Sequence, residues 1–194
     1  MQTYTTPGGI TVAPNVNVVQ QLMVRADAAP THAALSYRDG DKFVPVTTRE
    51  LWETVQELAA GLVALGVQKG DRVALHCATR IEFTYFDYAI WAAGAATTTI
   101  YETSSADQVK WIIQDSGAVA LISENADTYA SYDEVKGDLP DCRNVFVVDE
   151  GAVETISGMA TDESRAELKR RIDSITHDDL ATLVYTSGTT GLPK

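Results

Sequence analysis

Short apolar runs alternate along most of this chain with segments of helical periodicity, and that alternation admits few folds. The runs occupy residues 72–77, 96–100, 118–123, 145–148 and 180–185, with amphipathic stretches between them. A strand, a helix and a second strand in sequence make a parallel crossover, and a parallel sheet has two apolar faces that helices must cover. The pattern therefore predicts an α/β fold with a mainly parallel sheet and helices on both faces. Ahead of it, Val18, Val19, Leu22, Met23 and Ala26 recur at helical spacing within residues 16–28. Residues 33–37 and 43–46 then flank the turn formers Arg38-Asp39-Gly40-Asp41, which predicts a hairpin. Spacing does not determine the order of strands in the sheet.

The helices are punctuated at both ends. Thr47 with Glu50, Thr79 with Glu82, and Ser105 with Gln108 match capping boxes, in which each side chain satisfies a free backbone N–H of the first turn. Gly66, Gly94 and Gly117 stand where those helices should stop in the left-handed conformation. Residues 149–177, rich in Asp, Glu, Ser and Gly, read as an exposed connection holding a charged helix at 163–173. Residues 1–15 read as a loose arm, and residues 16–194 as one partial domain.

Composition removes several functions. A net charge of −12 with no basic cluster argues against nucleic acid as a partner, because phosphate backbones require a cationic footprint. No apolar stretch approaches the roughly 20 residues that span a bilayer. At most a peripheral membrane contact is expected, in a cytoplasmic protein. Cys77 and Cys142 are isolated in sequence and read as reduced thiols rather than metal ligands.

The last run is followed at once by Thr186-Ser187-Gly188-Thr189-Thr190-Gly191-Leu192-Pro193-Lys194. Hydroxyls donate to anionic oxygens, glycines let backbone N–H groups approach closely, and the lysine adds a compact positive charge. Leaving a strand at the carboxyl end of a sheet, such a loop suits a polyphosphate. A flexible Gly/Ser linker has similar letters, but it seldom abuts a strand or adds Pro and Lys. The segment is also not the common P-loop, since Pro193 stands where that pattern needs its second glycine. Three histidines, His32, His76 and His177, offer no ordered triad with Ser187, which lacks a nucleophile elbow. Asp178 and Asp179 read as turn residues before the final strand. Trp52, Trp91 and Trp111 read as core residues, with an acyl-chain platform as the alternative; Tyr85, Phe86 and Tyr88 could face a substrate or a partner.

The tail from Thr186 to Lys194 resembles the phosphate-loop signature of the AMP-forming adenylating enzymes, which include acyl-CoA synthetases, firefly-type luciferases and peptide-synthetase adenylation domains. Upstream, Val46-Thr47-Thr48-Arg49-Glu50-Leu51, Ala59-Ala60-Gly61-Leu62, Leu65-Gly66-Val67, Lys69-Gly70-Asp71-Arg72-Val73-Ala74 and Ala89-Ile90-Trp91-Ala92-Ala93-Gly94-Ala95 follow that superfamily's order and spacing. Ile100-Tyr101-Glu102-Thr103-Ser104-Ser105-Ala106-Asp107-Gln108 is similar to the matching segment of long-chain fatty-acid–CoA ligases.

The resemblance implies that Thr186, Ser187, Gly188, Thr189, Thr190, Gly191 and Lys194 surround the β- and γ-phosphates of ATP. It implies that Thr186 assists Mg²⁺ and that Thr186 and Lys194 serve the chemistry. The implied reaction joins a fatty acid to coenzyme A through an acyl-adenylate. Family members continue well past the phosphate loop, so the chain is expected to be the N-terminal part of such a ligase and inactive alone. A nucleotide-binding module, an interaction fragment forming a homo-oligomer through an exposed apolar edge, and an adenylating enzyme for another carboxylic acid are the alternatives.

Overall fold

The computed structural model describes Ala13 and residues 16–186. The expected N-terminal arm therefore lies, except for Ala13, outside the described residues. Helix α1 (Val18–Ala28) is capped by Asn17, whose side chain accepts from the Gln20 N–H. Strands β1 (Ala33–Asp39) and β2 (Lys42–Thr47) form the antiparallel hairpin, closed at Gly40 with φ 58°. That left-handed angle at the first turn position is one that glycine adopts without strain.

Helix α2 (Thr48–Ala64) opens on the expected Thr47/Glu50 capping box, and Gly66 follows it at φ 99°. Strand β3 (Arg72–His76), helix α3 (Ile81–Ala92), strand β4 (Ala96–Ile100) and helix α4 (Ala106–Ser116) come next. Helix α4 has the full Ser105/Gln108 box and terminates at Gly117 in the left-handed region. The Thr79/Glu82 box does not form. Arg80 takes the cap position of α3 with no side-chain cap bond, since a guanidinium has no acceptor to offer the first-turn N–H groups, and it donates to Glu82.

The second half runs through β5 (Ala120–Ser123), α5 (Ala126–Asp133), β6 (Asn144–Val147), α6 (Ala152–Ser157), α7 (Asp162–Ser174) and β7 (Thr182–Val184). Five parallel strands stand in the order β6-β5-β3-β4-β7. One face carries Val73, Leu75, Ala120 and Ile122 against a core from α1, α2, α3, α6 and α7. The other carries Ala74, Ile100 and Leu121 against Val109, Ile112 and Ile113 of α4 and Tyr132 of α5. Helices thus cover both faces, as the apolar faces of a parallel sheet require.

Residues 149–177 are not the exposed connection that their composition suggests. Ala152, Ile156, Leu168 and Ile172 are buried in the first core, with α6 and α7 both packed on α2. Arg171 is buried with them, donating to the carbonyls of Val67 at 2.6 Å and Ala93 at 3.1 Å while its Nε pairs with Glu167. Backbone acceptors and one carboxylate are what make a buried guanidinium tolerable. Both cysteines are buried and free, and burial pushes each thiol up to about 12.

Candidate functional site

Every strand of the sheet points its carboxyl end the same way, so the loops after β3, β4, β5 and β7 share one rim. The chain leaves β3 for β4 on one side and later returns to β5 on the other, which makes the β3/β5 junction the topological switch point. That crevice is filled by protein charge. Arg80 reaches Glu82 and Asp149 at 2.7 Å each and Glu124 at 3.6 Å, and the Ala78 N–H donates to Glu124 at 2.8 Å. A guanidinium already shared among three carboxylates is a poor receptor for an anion.

The hydroxyl-rich loop leaves from β7, two strands away from β3 at the sheet edge. Strand β7 is set in place by its approach. The Thr176 N–H donates to Asp179 at 2.7 Å, and Lys69 pairs with the same carboxylate at 3.2 Å, so Asp179 is the turn residue that the sequence suggests. Lys69 and the Thr176 amide hold the Asp179 carboxyl below the usual range, with the backbone bond the larger cause. Trp91 Nε1 then donates to the Ala181 carbonyl at 2.8 Å, and the Thr97 N–H to the same oxygen at 2.9 Å. Thr97, Thr98 and Thr99 of β4 stand level with Thr182, Leu183 and Val184.

At its far end β7 is anchored from the other face. Tyr185 is buried, and its hydroxyl donates to Asp115 of α4 at 2.6 Å. Burial, with that bond second, pushes the phenol up to about 12. The next residue, Thr186, is exposed at the carboxyl rim. Of the residues expected to hold ATP, only Thr186 is thus placed; Ser187, Gly188, Thr189, Thr190, Gly191 and Lys194 lie outside the described residues. A cavity of about 180 Å³ bordered by Asn17, Trp91, His177 and Ala181 lies at the amino end of β7, opposite the rim that Thr186 occupies.

The three tryptophans pack as side chains of the core margin: Trp52 and Trp91 against the first cluster, Trp111 against the second. Phe86 is fully buried, while Tyr85 and Tyr88 are partly so. His177 pairs with its neighbour Asp178 at 3.1 Å, and His76 is fully buried. Two polar residues, one beneath the sheet and one at its carboxyl rim, gave no sequence signal. Asp87 on α3 accepts from the Thr97 hydroxyl at 2.6 Å, and burial raises its carboxyl above the usual range. Arg80 is the other, since nothing in Thr79-Arg80-Ile81-Glu82 indicates that distant Glu124 and Asp149 converge on it. Among the described residues no three of His, Cys, Asp and Glu gather in metal-binding geometry.

Residues 22–194 match the family model for AMP-binding enzymes, and the chain belongs to that family. Among curated relatives it is 36% identical over 197 residues to the long-chain-fatty-acid–CoA ligase FadD15 of Mycobacterium tuberculosis strain H37Rv, covering all of this chain and 33% of that protein. The chain thus spans about a third of the length of that relative. The solved N-terminal domain of FACL13 from Mycobacterium tuberculosis superposes with a TM-score of 0.73 at 25% identity, covering 89% of this chain and 42% of that one. A long-chain-fatty-acid-CoA ligase (FadD1) from Archaeoglobus fulgidus shares the fold, with a TM-score of 0.76 at 20% identity over 98% of this chain and 38% of that one.

Proposed function

We propose that this chain is the N-terminal part of an ATP-dependent long-chain fatty-acid–CoA ligase. The supporting observation is the delivery of Thr186: a strand pinned at both ends, by Trp91 and by Asp115, presents the start of a hydroxyl-, glycine- and lysine-bearing loop at the carboxyl rim. A strand held at both ends fixes the position of the Thr186 hydroxyl before the nucleotide arrives.

In the first step the fatty carboxylate attacks the α-phosphorus of ATP. A carboxylate oxygen–phosphorus bond forms, the bond to the β-phosphate bridging oxygen breaks, and pyrophosphate departs. The hydroxyls of Thr186, Ser187, Thr189 and Thr190 and the amides of Gly188 and Gly191 hold the β- and γ-phosphates. Lys194 offsets the negative charge that grows on the leaving group. In the second step the sulfur of coenzyme A attacks the acyl carbon, and AMP leaves as the thioester forms.

Bound Mg²⁺ would spread charge over the phosphate oxygens. The Thr186 hydroxyl is a hard oxygen ligand, exposed at the right rim, and fits that ion only together with phosphate oxygens. The 194 residues alone are inactive in this reading, because they correspond to a third of the relatives' length. The buried, unpaired thiols of Cys77 and Cys142 accord with a cytoplasmic location. No helix among the described residues is long and apolar enough to cross a membrane.

ATP–pyrophosphate exchange tests the proposal. A version of the chain extended to the length of its relatives should exchange label only when a long-chain fatty acid is present, and the 194-residue chain should not exchange it. Exchange driven by amino acids instead would overturn the substrate class.

A further inference from the structure

His76 ends β3 and is fully buried, as is Thr98 on the neighbouring strand. Among the described residues neither ring nitrogen of His76 has a hydrogen-bond partner, and neither does the Thr98 hydroxyl. Register places His76 level with Ile100 and Ser123, and Thr98 level with Ala74, so the two orphaned side chains are diagonal neighbours on the face covered by α4 and α5. Buried polar groups are ordinarily paired, and a pair of neighbours left unpaired at a loop junction marks a place where the chain has a second arrangement to adopt.

The junction in question is residues 101–105, which follow Ile100 directly and lead into α4. The backbone of Tyr101 and Glu102 lies close enough to act on the His76 ring, short of full hydrogen-bonding geometry. Two carboxylates also act on the ring: Glu102 from this segment and Glu124 from the end of β5. Glu124 is committed elsewhere, to the Ala78 N–H and to Arg80. On the helices packed over this layer, α4 presents Val109, Ile112 and Ile113, and the Tyr132 hydroxyl of α5 already donates to the Cys142 carbonyl. The Cys77 thiol belongs to the opposite core. Glu102 is exposed and makes no ion pair among the described residues, so it is the carboxylate acting on the ring that is not already committed to another partner.

We propose that His76 and Glu102 form a proton-operated latch on residues 101–105. With the ring neutral the segment rests over it. When the ring takes up a proton it gains a second N–H donor, the Glu102 carboxylate swings inward to accept, and the segment changes course at the carboxyl rim beside β4. Because β7 pairs with β4, the movement occurs one strand from the point where Thr186 leaves the sheet. Burial holds the His76 ring below the ordinary histidine value, so the latch is closed near neutrality and responds only in mildly acidic solution. The inference rests on this geometry and not on the functional reading above.

Hydrogen exchange followed by mass spectrometry tests it, at about pH 7.5 and about pH 5 with intrinsic rates corrected. In the wild-type chain the exchange of residues 101–105 should change at least about threefold between the two conditions, with β3 and β4 still protected. Glu102→Gln, at an exposed position that leaves the fold intact, should abolish the change, and His76→Gln should do the same. A wild-type segment indifferent to pH, a response that persists in Glu102→Gln, or loss of protection throughout β3 and β4 would each overturn the latch.

Discussion

Tyr185 at the end of β7 donates its hydroxyl to Asp115 on α4 across 2.6 Å, fastening the last described strand to a helix on the far side of the sheet. The pair involves the residue immediately before Thr186, so the placement of Thr186 at the carboxyl rim depends on it. Tyr185→Phe keeps the ring and removes the donor. A net cost of about 1 kcal/mol is expected, the usual worth of one such bond, read as a lower urea midpoint with an unchanged slope.

The same pair has a pH signature. The phenol is pushed up to about 12 in the folded chain, against about 10 when unfolded, so the folded state holds the proton longer. The contribution is complete below the unfolded value and is lost as pH rises through the folded one. The stability difference between wild type and Tyr185→Phe should therefore shrink between about pH 10 and about pH 12. A constant difference over that window would contradict the assignment.

Gly61 lies inside α2, where propensity alone would favour alanine by roughly 1 kcal/mol. A β-carbon there would overlap the carbonyl oxygen of Ile156 on α6, with Ile156 Cγ2 only 2.9 Å away. Gly61→Ala is expected to destabilise by about 1–3 kcal/mol, since backbone must move to admit the methyl. Thermal unfolding decides between the two signs.

Arg171 satisfies the carbonyls of Val67 and Ala93 from the buried face of α7. Arg171→Met preserves the aliphatic stem but takes the guanidinium donor from those two oxygens, while Glu167 keeps its pair with Arg170 at 2.7 Å. The expected loss is about 2–4 kcal/mol, with proteolysis of α7 against α2 as an independent readout. A near-neutral effect would mean that the two carbonyls find other donors.

These residues also show how far the sequence was legible. Thr47 with Glu50 and Ser105 with Gln108 mark true helix starts, and Gly66 and Gly117 true ends, because caps and left-handed turns are local chemistry. Thr79 and Glu82 have the same spacing and fail, because a residue between them, Arg80, draws Glu82 into an ion pair joined by Asp149 and Glu124 from remote loops. Helix α7 reads as surface because Arg171 looks solvated, and only its long-range carbonyl partners reveal otherwise. Helix α5 has a capping box at Asn125 and Thr128 but few apolar positions to announce it. The strand order needed the structure, since a crossover can place the next strand on either side. For the site, β7 and its exit at Thr186 were legible; residues 187–194 lie outside those described.

In the proposed reaction the loop beginning at Thr186 grips the phosphates of ATP while a fatty acid is adenylated. The most direct measurement is fatty acyl-CoA synthesis by the length-extended protein carrying Thr186→Ala, Thr189→Ala and Lys194→Ala together. Turnover is expected to fall by at least about a hundredfold, as for removal of preorganised charge stabilisation. Synthesis at the wild-type rate would contradict it.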